Sequence, residues 1–105
     1  MAAATIEQHY MKQRIRLLRF IVDECDEEIE LGNDTGEDGD PAFGEMKETG
    51  EALIKAGDTL LTELLTAGTS RDTDRQRLGF DILFSELVAQ VRDAQRVGYF
   101  DLFGE

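Results

Sequence analysis

From Met11 onward, apolar side chains return in alternating steps of four and three: Met11, Ile15, Leu18, Val22, Cys25 and Ile29. Such steps place side chains along one stripe of an α-helix, whereas a half-buried strand would need every second residue apolar. Thr5, with Gln8 three residues later, makes a capping box, and Gly32-Asn33 supplies the left-handed residues on which helices end. The spacing therefore predicts a first helix from about residue 6 to residue 31. Ile6, Tyr10, Leu17 and Ile21 widen its stripe, so more than one face must be buried.

The next stretch, GNDTGEDGDPAFG at 32–44, holds four glycines and the chain's one proline, and reads as a loop. Asp40 before Pro41 offers an N-cap and a first helical residue, with Gly44 delaying the regular start to Glu45. A second helix then presents Met46, Gly50, Leu53, Gly57, Leu60 and Leu64, spaced by the same fours and threes. Its seam glycines either let a neighbouring backbone approach closely or break the helix at Gly57, with Asp58 as a new N-cap. Ser70 or Asp72 caps a third helix whose apolar set is Leu78, Phe80, Ile82, Leu83, Phe84, Leu87, Val88, Val91 and Ala94, a face broad enough for a central position. After Gly98, the segment 98–105 with Tyr99, Phe100, Leu102 and Phe103 reads as a short turn or helix that folds back. The expected fold is a single all-α domain over 1–105, an antiparallel bundle of three long helices. Helices of about 25 residues, about 38 Å long, leave stripes that three helices cover only partly, and dimerisation completes them.

Charge is organised by segment. Residues 1–22 carry +3, residues 23–68 carry −13 and residues 69–105 carry −2, for a net charge of −12. The acidic block must be solvated, neutralised by cations or presented to a basic partner. Its sign argues against direct nucleic-acid binding and against anionic lipid, and the short apolar runs fall far below a membrane span. A single cysteine excludes an intrachain disulfide, and no early stretch has the order of a signal peptide, so a cytoplasmic location is expected. His9 and Cys25 lie about 24 Å apart on one helix, too far to share a metal; Cys25 belongs to the seam as a small buried thiol.

Two pairs of carboxylates carry the sharper chemistry. Glu24-x-x-Glu27 lies near the end of the first helix and Glu48-x-x-Glu51 near the start of the second, each pair on one helical face. Across a helical hairpin the pairs approach, and divalent cations would relieve their repulsion. This arrangement resembles the paired acidic motifs of the all-alpha nucleoside-triphosphate pyrophosphohydrolases. The resemblance implies a dimeric enzyme that uses Mg²⁺, held by Glu24, Glu27, Glu48 and Glu51, to release pyrophosphate from nucleotides. A second registration sets ETGEALIKAG at 48–57 and LGFDILF at 78–84 on the two acidic helices, with Glu48, Glu51 and Asp81 as ligands. The first departs from the family pattern at Glu51, where Asp is usual, and the second at Leu78, where Glu is expected. In the loop, Asp34, Asp38, Gly39 and Glu45 fall at calcium-loop positions one, five, six and twelve, although Gly36 and Pro41 depart from that template.

The remaining features are surfaces. Lys12, Arg14, Arg16 and Arg19 form a basic shoulder on the first helix and Asp23 to Glu30 its acidic end, which an antiparallel neighbour would satisfy by setting opposite ends side by side. The acidic end also matches a nucleic-acid mimic that occupies a basic protein partner. With no phosphate loop or serine-nucleophile elbow in the chain, the expected function is a protein-interaction or oligomerisation module without its own catalysis or cofactor. It pairs with itself through Leu18, Val22, Leu87, Tyr99, Phe100 and Phe103. The Mg²⁺ hydrolase and the acidic mimic stand as the alternatives.

Overall fold

The computed structural model describes residues 2–32 and 42–99, with side chains from residue 5 onward. Three helices account for nearly all of this: α1 (Ala2–Glu30), α2 (Phe43–Ala67) and α3 (Arg71–Arg96), packed against each other with no strand among the described residues.

The termini show which local signals win. α1 already begins at Ala2, so Thr5 lies inside the helix rather than capping it. Consecutive alanines, the strongest helix formers, carry the helix past the capping box. At the other end Gly32, at φ +91°, donates its N–H to the Ile29 carbonyl at 2.9 Å, a left-handed stop that only glycine adopts without strain. α2 starts at Phe43 with Ala42 as N-cap, so Gly44 does not delay its start, while Asp40 and Pro41 lie outside the described residues. Burial sets that start: Phe43 is fully buried and anchors the first turn in the core. Ser70 caps α3 as expected, accepting from the Thr73 N–H at 3.1 Å while Thr73 Oγ1 accepts from the Ser70 N–H at 2.8 Å.

The core holds Met11, Ile15, Leu18, Ile21, Val22 and Cys25 from α1, Phe43, Met46, Leu53, Leu60 and Leu64 from α2, and Phe80, Leu87, Val91 and Ala94 from α3. The heptad seam of α1 is thus buried from Met11 to Cys25 as its spacing predicts, with Ile29 partly buried at its end. The central helix is α2, not α3: it packs along both others, while α1 and α3 meet sparsely. The reason lies in its seam glycines. An added Cβ at Gly50 would stand 2.7 Å from Val22 Cγ2, and one at Gly57 would stand 3.1 Å from Ile15 Cγ1 and 3.2 Å from Phe80 Cε2. Side chains of both neighbours sink into the space that the missing Cβ atoms leave, so α2 runs unbroken through Gly57 and Asp58 caps nothing. Leu78, Ile82 and Leu83, expected on the buried face of the third helix, are exposed.

Candidate interaction face

Where α1 and α3 run past each other, charged groups rather than apolar packing join them. Arg14 is paired with Asp81, and Arg77 Nη1 donates to Glu7 Oε1 at 3.2 Å. The Arg14 guanidinium also lies 5.7 Å from the Tyr10 ring centroid and 5.4 Å from that of Phe84, so one cation bridges two aromatic faces and a carboxylate. Beneath these groups a cleft of about 220 Å³ reaches down to Leu60 and Leu64. Within it, Glu7 Oε2 and Arg77 Nε are buried without a hydrogen-bond partner among the described residues.

Together with Tyr10, which the charged seam shares, α1 and the turn after it leave further apolar groups in solvent. Ile6 and Tyr10 are each 57 % exposed, Phe20 49 % and Leu31 74 %, and Leu17 is half-buried between them and the core. On α3 the exposed set is Leu78, Ile82 and Leu83, the last beside a groove of about 520 Å³ between α2 and α3.

The sequence-predicted residues divide among these environments. Leu18, Val22 and Leu87 are buried inside the chain, so they hold its own helices together. Tyr99 folds back: its N–H donates to the Ala94 carbonyl at 3.0 Å, and its ring stands edge-on to Phe43 at 5.1 Å between centroids. Phe100 and Phe103 lie outside the described residues, as do Asp34, Asp38 and the rest of the acidic loop core. Among the described residues no three histidine, cysteine or acidic side chains form a group that could hold a metal ion, so Glu24, Glu27, Glu48 and Glu51 are not gathered into a site. Asp81 is engaged by Arg14. Of the basic shoulder, Arg14 faces α3 and Arg19 lies 3.8 Å from Asp58 on α2. The acidic end of α1 is tied to α2 by Lys47, whose Nζ is 2.5 Å from Asp26 Oδ1; that hydrogen bond and charge raise the Lys47 pKa.

Cys25 is fully buried, and desolvation, with the negative charges of Asp26, Glu24 and Glu28 adding to it, pushes its thiol up to about 12. A thiol so placed is neither nucleophile nor ligand at neutral pH. What the sequence did not reveal is the Arg14–Asp81 and Arg77–Glu7 ladder, whose partners stand about seventy residues apart and share no motif. No helix among the described residues is long and apolar enough to cross a membrane. Compared with protein-family models, with curated proteins and with solved structures, the chain matches none.

Proposed function

We propose that this chain is a helical interaction module that associates with itself and acts through its surfaces rather than through catalysis. The observation that carries this reading is the set Ile6, Tyr10, Leu17 and Phe20, interrupted only by Gln13 along the first two-thirds of a helix whose other apolar face is already spent on the core, with Leu31 exposed just past its end. A scattered exposed leucine is ordinary, but a helical row of large apolar and aromatic groups marks a contact surface.

In this reading the three helices form an antiparallel bundle. Support comes from the pairings: Gln8 reaches Leu64 and Asp26 reaches Lys47, while Gln76 of α3 reaches Glu63 of α2 and Leu87 approaches Gly50. Tyr99 on Phe43 closes one end. A bundle of three such helices is completed by a second copy, which covers the outer row of α1. Light scattering on the full chain across micromolar concentrations tests the reading. A mass of twice 11.8 kDa is expected; a strict monomer at physiological ionic strength refutes it.

A further inference from the structure

The exposed row of α1 is a second heptad seam, and its sequence is symmetric in a way that selects the partner. Its positions are Ile6, Tyr10, Gln13, Leu17, Phe20, Glu24, Glu27 and Leu31, again in steps of four and three. Folded back on itself about a point between Leu18 and Arg19, the row maps onto itself. Leu17 then faces Phe20, Gln13 faces Glu24, Tyr10 faces Glu27 and Ile6 faces Leu31. The central layer is apolar, the next two pair hydrogen-bonding groups with carboxylates, and the ends are apolar again. The flank of this seam away from α3 carries His9, Arg16, Asp23 and Glu30, one per heptad. Arg16 and Asp23, like His9 and Glu30, are related about a point between Arg19 and Phe20, one residue from the centre of the row, so in the antiparallel pair each Arg16 stands about 3 Å along the helix from the level of the other copy's Asp23, within reach of its long side chain. Arg16 and Asp23 are exposed and hold no ion pair among the described residues.

We propose that two copies of this chain pair through α1, the helices antiparallel about a twofold axis between Leu18 and Arg19, with Leu17 and Phe20 at the centre and Arg16–Asp23 pairs across the interface. The inference rests on the self-association reading above and names its surface. An isologous contact must be self-complementary, and the charge order of this helix, basic first half and acidic second half, meets that condition only when the two run in opposite directions. A parallel pairing would set Arg16 beside Arg16 and Asp23 beside Asp23.

Sedimentation velocity on the full chain, with circular dichroism as a check of each variant's fold, tests the proposal. Phe20→Glu, at a half-exposed position, raises the dimer dissociation constant about 100-fold or more while leaving helicity unchanged. Arg16→Asp and Asp23→Arg each weaken the dimer about tenfold by turning two symmetric attractions into repulsions, and combining them restores it. A wild-type monomer overturns the self-association reading and this inference together. A dimer indifferent to Phe20→Glu, with no rescue by the combined charge swap, leaves self-association standing and overturns the α1 pairing, moving the contact to a face such as Leu78 and Ile82.

Discussion

Gly50 and Gly79 are both helix-interior glycines, and the fold assigns opposite consequences to replacing them with alanine. In an isolated helix each substitution stabilises by about 1 kcal/mol, because alanine loses less conformational freedom on folding. At Gly79 the new methyl meets nothing within 4 Å, so Gly79→Ala keeps this gain. At Gly50 the Cβ arrives 2.7 Å from Val22 Cγ2, well inside contact distance, with Leu87 Cδ2 3.8 Å away on the other side. Val22 is β-branched and buried, so it has no free rotamer to yield, and the contact is relieved only by spreading α1 from α2. Overpacking of this kind costs about 1–3 kcal/mol, which exceeds the propensity gain. Gly50→Ala is therefore expected to lower stability by about 1 kcal/mol net while Gly79→Ala raises it by about as much. Urea unfolding followed by helical circular dichroism, at one fixed protein concentration, measures both. A stabilising Gly50→Ala equal to Gly79→Ala would refute the close approach of α1 to α2 on which α2's central position depends.

Ser70→Ala removes the cap of α3 and costs about 1 kcal/mol in the same assay, whereas Thr5→Ala, inside α1, costs less than half of that. Leu18→Asp puts an uncompensated charge at a fully buried position and abolishes the folded state's cooperative melt, unlike Phe20→Glu on the same helix. The Cys25 thiol stands at about 12 in the fold against an ordinary 9.0, so the unfolded chain releases its proton first and stability falls as pH rises above about 9. Lys47, raised by Asp26, adds to the same alkaline loss as pH passes through its folded-state value. Cys25→Ala should flatten part of that slope in melts taken at successive pH values. Alkylation of Cys25 at neutral pH should proceed only as fast as the chain opens.

The inner seam of α1 was legible because six residues in one periodic row need only one buried face. So were the Ser70 cap and the Gly32 stop, each set by the backbone chemistry of one or two residues. Helix starts were less so: Ala2 and Phe43 begin helices through alanine propensity and core burial, which compete with polar caps such as that expected at Thr5. The order of packing could not be read. The apolar set from Leu78 to Ala94 gives α3 the broadest-looking face, but Gly50 and Gly57 decide which helix lies between the others, and glycine advertises a break as readily as a contact. Ile6, Tyr10, Leu17 and Ile21 read as one widened stripe, yet Ile21 is in the core while Ile6 and Tyr10 are outside it. The boundary between them is set by Arg14 turning toward Asp81, a pairing across the chain that local sequence does not encode.

The direction in which two α1 helices lie against each other tests the central claim most directly. Spin labels on cysteines substituted at Arg19 or at His9 report it, since the buried Cys25 takes no label. The antiparallel pairing predicts a short distance between labels at position 19, beside the axis. At position 9, displaced by almost ten residues from that axis, the labels stand about 30 Å or more apart at 1.5 Å per residue. Equal short distances at both positions, or no distance between copies at either, would contradict it.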